Sequence, residues 1–294
     1  MKVAGFTFIR NAIKNDYSIV EAILSILPIC DEFVVAHGNS EDETLKLIEN
    51  INSPKIKIIQ TTWDDSLREG GRTFALETDK AFSAISKDVD WAFYIQGDEC
   101  VHEKYLDTIK REMDLCVNDK KIEGLLFNYK HFYGSYDFFA HSRRWYRREI
   151  RIIRNLPGMH SYKDAQGFRY NNRKINVKHI DAYIYHYGWV KPPSGLNNKV
   201  RNFNQFYTND DQWIEEKYPE FAEFDYENAD RLFKFTESHP KVMQNRIAKS
   251  NWTFNFDPTK NQKKLPFRRR LLAIIEELTG FRLFEYKNYN KVGS

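Results

Sequence analysis

Apolar residues open the chain as a run, Val3–Ile9, and then change period. Val20, Ile23, Leu24 and Leu27 recur at the spacing of one helix face. A second run, Phe33–Ala36, is followed by Ser40 and Glu43, a spacing that predicts a capping box in which the Ser accepts from a first-turn N–H and the Glu reaches back. The helix it starts carries Thr44, Leu47, Ile48 and Ile51 on one side. Ile56–Ile59 is a third run, Gly71 to Ile85 reads as a helix with Phe74, Ala81, Phe82 and Ile85 inward, and Trp91–Ile95 is a fourth run. Lys104–Asn118 follows as a helix through Leu106, Ile109 and Met113. Strand then helix, four times over, predicts a parallel sheet covered on both faces. Ligands of such sheets gather at the carboxyl ends of the strands.

The second half is less regular. Gly124–Phe132, Glu149–Arg154 and Ala182–His186 are candidate strands that extend the sheet. From Lys191-Pro192-Pro193 onward the chain turns polar, aromatic and helical, without a repeat. A boundary near residue 190 divides a sheet domain, 1–190, from a mostly helical extension, 191–294. The last clear helix follows Pro266, with an apolar stripe of Leu271, Ile274, Ile275 and Leu278 behind Arg268, Arg269 and Arg270.

Composition narrows this picture. The net charge is only +4, which excludes a histone-like or polybasic protein. Aromatic residues make up 15% of the 294, enough for a large core. Cys30, Cys100 and Cys116 are far apart and form no CxxC pair, so a reducing compartment is expected rather than a disulfide scaffold. No apolar run approaches the ~18–20 residues of a membrane span. The start is too short in apolar residues for a signal segment, and a cytoplasmic protein is expected. The sequon at Asn251 is then a chance occurrence.

Four loops stand at the expected carboxyl ends: Arg10-Asn11; His37-Gly38-Asn39-Ser40; Trp63-Asp64-Asp65, leading to Gly70-Gly71-Arg72; and Gln96-Gly97-Asp98-Glu99. The last is the sharpest. Carboxylate oxygens at a strand end, with a substrate diphosphate, are what a hard divalent cation needs. An acidic turn before a helix reads equally as a favourable N-terminal charge.

Ile9-Arg10-Asn11, then Pro28–Thr44, then Trp91–Glu99, with Arg68–Arg72 between, resembles the family 2 glycosyltransferases with a GT-A fold. The likeness spans roughly 1–190 and is strongest over 1–105. It implies a Rossmann-like mixed α/β sheet and an enzyme that moves a sugar, with inversion, from a nucleotide-diphosphate sugar to a hydroxyl of a glycan, lipid-linked or other acceptor. By the same resemblance Arg10, Asn11, Gly38, Ser40, Asp42, Arg72, Gln96 and Asp98 contact the donor. Asp98 binds Mn²⁺ or Mg²⁺, and His186 is a second metal or phosphate ligand. Two positions depart from the family pattern: Ala36 replaces the acid that touches the nucleobase, and Gln96 replaces the first acid of D-x-D.

Met159-His160-Ser161 matches a segment that carries an acid in some members of the family. Here Asp164, four residues beyond His160, is the leading candidate for the base that takes the acceptor proton, with His160 assisting or orienting the acceptor and Asp137 and Glu149 as runners-up. Between His141 and Arg154 lie six arginines interleaved with Trp145 and Tyr146. They fit a diphosphate, an anionic acceptor or a solvated face, and a nucleic-acid surface is the outside reading, which the low net charge disfavours. The basic helix after Pro266 fits either an anionic membrane, as at the inner membrane face, or packing on its own domain. A GT-A domain that binds a nucleotide or glycan without catalysis is the remaining alternative, motivated by Ala36 and Gln96.

Overall fold

The computed structural model describes residues 1–226, 231–257 and 266–292. The chain alternates β1 (Val3–Ile9), α1 (Ile19–Ile26), β2 (Glu32–His37), α2 (Thr44–Glu49), β3 (Ile56–Gln60), α3 (Arg72–Ser83) and β4 (Trp91–Tyr94). β5 (Glu99–Val101) and α4 (Leu106–Cys116) follow. Four longer strands come next: β6 (Gly124–Tyr133), β7 (Ser135–Ala140), β8 (Arg148–Arg154) and, after the short β9 (Met159–Tyr162), β10 (Gly167–Tyr170) and β11 (Arg173–Lys174), the long β12 (Asn176–Trp189). Then come α5 (Pro193–Asn204), α6 (Asp211–Lys217), β13 (Leu232–Lys234), α7 (Gln244–Ala248), α8 (Phe267–Thr279) and β14 (Asn290–Lys291).

The main sheet runs β13-β7-β6-β8-β4-β1-β2-β3, with β12 against β6, β5 and β14. Its first half is parallel, β4-β1-β2-β3. From β4 outward, β8, β6, β7 and β13 pair antiparallel. The parallel half expected from the alternation of strands and helices is present, and the sheet as a whole is the mixed α/β sheet that the resemblance implies. Its central strands carry large apolar side chains on both faces, because both faces are covered. In β4, Trp91 and Phe93 pack with Ile23, Ile109 and Met113 from α1 and α4. Ala92 and Tyr94 pack on the other side with Phe74 and Phe82 of α3 and Phe168 of β10. That alternation is the period of two of a strand.

Two expectations differ in detail. Helix α2 begins at Thr44 with no side-chain cap, because Ser40 spends its hydroxyl on the Asn11 N–H at 3.0 Å, 29 residues away. The turn after β4 runs into β5 rather than a helix, so its acids do not cap one.

Candidate active site

A cavity of about 970 Å³ opens at the carboxyl ends of β1 and β4. Arg10 and Asn11 form one wall, Gln96, Gly97 and Asp98 the floor, Glu149 and Arg151 of β8 a second wall, and α5 a third. The register of β12 on β5 sets His186 opposite Glu99 and so beside Asp98.

The two acids of the 96–99 turn have separate fates. Glu99 is fully buried and receives Arg151 at 2.8 and 2.9 Å, the Tyr129 hydroxyl at 2.8 Å and the Gln96 N–H at 3.1 Å. It is a structural anchor that fixes the turn. Asp98 faces the cavity. Its Oδ2 accepts from Lys199 Nζ of α5 at 2.9 Å and lies 3.8 Å from His186 Nε2. Burial would raise the Asp98 carboxyl, but the ammonium of Lys199 beside it holds it well below the usual carboxylate range. It is a carboxylate at any ordinary pH.

His186 has a defined tautomer. His131 Nε2 lies 2.8 Å from the Tyr146 carbonyl, which only accepts, so that nitrogen carries the proton. Burial, with His186 nearby, pushes the His131 pKa well down and keeps it neutral. His131 Nδ1 is then an acceptor, and His186 Nδ1 donates to it at 3.1 Å. The Nε2 lone pair of His186 is left facing Asp98. Gly188 lets these groups converge. A Cβ there would sit 2.6 Å from Asp98 Oδ2 and 2.8 Å from both His186 Nε2 and Lys199 Nζ.

The first loop is held from behind by the second. Asp42 accepts from the Lys14 N–H at 2.8 Å, Asn11 accepts from the Glu41 N–H at 2.7 Å, and Thr44 accepts from the Ala12 N–H at 2.7 Å. Ser40, as above, takes the Asn11 N–H. Gly38 meets the Trp63 indole where a Cβ would stand, so only glycine fits there. Gly38, Ser40 and Asp42 thus brace Arg10 and Asn11 and do not themselves line the cavity. Arg10 lies over the Trp63 ring at 5.6 Å and pairs with Asp65 at the rim.

Two carboxyls present an unpartnered buried oxygen to this space, Glu149 through Oε2 and Asp164 through Oδ1. Asp164 Oδ2 accepts the Tyr207 hydroxyl at 2.6 Å. Glu149 is pushed up to about 8, first by burial and further by the charges of Glu99 and Asp164, against the opposing pull of Arg151. Of the remaining sequence candidates, His160 lies on β9 with Nδ1 3.1 Å from the Gly158 carbonyl, outside the cavity lining. Arg72 is exposed at the start of α3, and Arg68 is the arginine of that segment that lines the cavity, tied to the Gln205 carbonyl at 2.8 Å. Asp137 gives its backbone N–H to the Ser135 hydroxyl at 3.1 Å and stands away from the lining.

Lys199 and Arg68 were not among the sequence candidates. Lys199 stands in a polar helix 101 residues from its carboxylate, with no local pattern to mark it.

For a divalent cation, the residues at this corner offer one carboxylate, Asp98, and one imidazole nitrogen, His186. Among the described residues no group of three His, Cys, Asp or Glu side chains converges. With the carboxylate oxygen nearest the histidine already bonded to an ammonium, the protein part of this corner fits a hard cation poorly, and most of the oxygens would have to come from a bound diphosphate.

No family profile matches the sequence, and no curated protein matches it. Among solved structures, the chain is similar to TarS from S. aureus at 16% identity, with a TM-score of 0.40, over 74% of this chain and 42% of that one. The chain thus spans less than half the length of that protein. A 1–349 segment of TarS in complex with UDP matches at 14% identity and TM-score 0.38, over 74% and 69% of the two chains. Glucosyl-3-phosphoglycerate synthase from Mycobacterium tuberculosis, in complex with Mn²⁺, UDP and phosphoglyceric acid, matches at 20% identity and TM-score 0.28, over 45% and 43%.

Proposed function

We propose that the chain is a GT-A-type glycosyltransferase that transfers a sugar from a nucleotide-diphosphate donor to a hydroxyl of a glycan or lipid-linked acceptor, with inversion. The observation that carries this reading is the cavity at the carboxyl ends of β1 and β4, where Asp98 faces the opening and Arg10 and Asn11 form its wall. Such a position, with cationic groups on several sides, fits a diphosphate at a strand-end crevice. The acceptor oxygen attacks the anomeric carbon, and the bond from that carbon to the diphosphate breaks, its electron pair leaving with the phosphate oxygen. Glu149 takes the proton from the acceptor hydroxyl. Its raised proton affinity suits that role, since a base works best with a pKa near the operating pH. Asp164 beside it helps raise that affinity and stands ready to accept from the same hydroxyl.

The second face of the proposal concerns the acceptor. Phe267, Leu271, Ile274 and Leu278 of α8 stand at i, i+4, i+7 and i+11, one stripe of the helix, and all four are exposed, Phe267 and Leu278 to 80%. Arg268 and Arg270 flank the stripe. An apolar stripe edged by arginines fits an anionic membrane surface, on which a lipid-linked acceptor would be carried. No helix among the described residues is long and apolar enough to cross a membrane.

A thermal-shift screen of nucleotide-sugars, with and without Mn²⁺, tests the donor class, because a ligand of the folded state raises the melting temperature with its saturation. A hit should be followed by turnover assays, in which Asp98→Ala should lower transfer by about a hundredfold or more. Full activity of that variant would sink the assignment. Binding without transfer or hydrolysis would favour the non-catalytic reading instead, which Gln96 motivates.

A further inference from the structure

We infer that Lys199 takes, against the donor diphosphate, the place of a divalent cation, so that this site binds and releases its nucleotide without a metal. The inference rests on the nucleotide-sugar reading above and goes beyond it in naming the cation.

Four observations carry it. The donor set for a metal is short: Gln96 contributes no charge, Glu99 is consumed by Arg151, and only Asp98 and His186 remain. The corner those two define already holds a positive charge, since Lys199 Nζ bonds Asp98 Oδ2 at 2.9 Å. A divalent ion on the same oxygen would have to displace that ammonium or stand against a like charge at close range. Third, the ammonium is fixed rather than mobile. It donates also to the Gly188 carbonyl at 2.8 Å and lies 5.2 Å from the Tyr17 ring centroid, and its side chain is only 13% exposed. Two of its three N–H groups are thereby spent, and one remains for a ligand in the cavity that Lys199 lines. Fourth, a second amine stands behind it and holds its proton less tightly, since burial and the charge of Lys199 push Lys191 down to about 7. Lys191 is buried with its Nζ 5.3 Å from the same Tyr17 ring, bonded to the Asp16 carbonyl.

The chemistry balances without a further reactant. As the bond between the anomeric carbon and the diphosphate oxygen breaks, negative charge builds on that oxygen. Lys199 stabilises it by a charge-assisted hydrogen bond and keeps its own protons. The acceptor proton goes to Glu149, as above. Asp98 then orients the ammonium, so its removal would harm turnover through Lys199 rather than through a lost metal.

The test uses the full chain stripped with EDTA. Titrated with Mn²⁺ alone and followed by its electron paramagnetic resonance, the protein should leave the ion free. One equivalent bound below about 0.1 mM and lost in Asp98→Asn would overturn the inference. Binding of UDP, ADP, GDP, CDP and TDP is then measured by calorimetry in EDTA and in Mn²⁺. The nucleotide that binds should do so equally in both, and Lys199→Met should weaken it by about ten- to a hundredfold. Because Lys199→Met leaves Asp98 buried and unpaired, the neutral pair Lys199→Met/Asp98→Asn serves as the folded control and should be equally weak. Nucleotide binding that needs Mn²⁺, or that survives in both variants, overturns the inference and leaves the donor class standing. Failure of all five nucleotides in both conditions overturns the donor class itself.

Discussion

Glu149 and Asp98 are carboxyls in one cavity with opposite electrostatics. Asp98 has an ammonium on its oxygen and stays ionised. Glu149 has a buried, unpartnered oxygen, and burial holds its proton until about pH 8. Environments that push two titratable groups apart assign them different tasks. If Glu149 is the base, kcat/KM should rise with pH and level off above about 8. Glu149→Gln should remove that rise together with about a hundredfold or more of the activity. The same residue has a signed effect on stability. Its folded pKa lies above the unfolded one, so between the ordinary carboxyl range and about 8 the folded state holds a proton that the unfolded state has released. Stability contributed by this group is full at low pH and is lost as pH rises through that window. Glu149→Gln should therefore melt no lower than the parent at low pH and increasingly above it from the ordinary carboxyl range up to about pH 8, the difference levelling off beyond. A variant that is inactive and also less stable at that pH would mark Glu149 as a structural acid instead.

Helix α8 shows where element-level reading of a sequence stops. Its existence after Pro266 was legible from periodicity, as were the four parallel strands and the helices between them, because period and length are local properties. Which face is covered is not local. The stripe through Leu271 and Ile274 that would serve as a core face is solvent-exposed, while Ala273 is buried and Glu276 pairs with Arg143 and Arg282. The same limit applied to α5, whose Lys199 has no pattern to announce it, and to Ser40, whose hydroxyl was expected on its own helix and serves a distant loop. The membrane proposal for α8 can be measured directly. The protein should co-sediment with vesicles containing anionic lipid and less so with neutral ones, and about 0.5 M salt should weaken the binding. Leu271→Glu/Leu278→Glu should abolish it without lowering the melting temperature, since both side chains are exposed. Equal binding of this variant would dismiss the stripe as the contact. A change from dimer to monomer on the same substitutions would assign the stripe to a second copy of the chain.

At the scale of the whole molecule, the arginine-rich segment decides what the modest net charge conceals. Its density was legible in the sequence, but its partners were not, because they lie far along the chain. Arg143 meets Glu276, 133 residues on, at 2.8 Å, and Arg147 meets Glu285, 138 residues on, at 2.8 and 2.9 Å. Arg154 stacks over Trp91 at 4.4 Å and donates to the carbonyls of Cys116, Val117, Asp119 and Ile122. Arg151, in the cavity wall, is spent on Glu99. These four hold the fold together, and a nucleic-acid surface has little of the segment's charge left to use. The Arg151–Glu99 pair bears the most weight, since it joins β8 to the turn that presents Asp98. Both members are essentially inaccessible, so removing one strands the other as a buried charge. Arg151→Met should cost about 3–5 kcal/mol. For a chain of this size that is roughly a 10 °C fall in melting temperature. Arg151→Met/Glu99→Gln should recover part of the loss, because the stranded charge is gone, and the amide can still take the Tyr129 hydroxyl. Recovery of melting temperature without recovery of donor binding would separate the pair's two roles. Stability would then depend on neutralising the buried charge, and the position of Asp98 on the geometry of the ion pair itself.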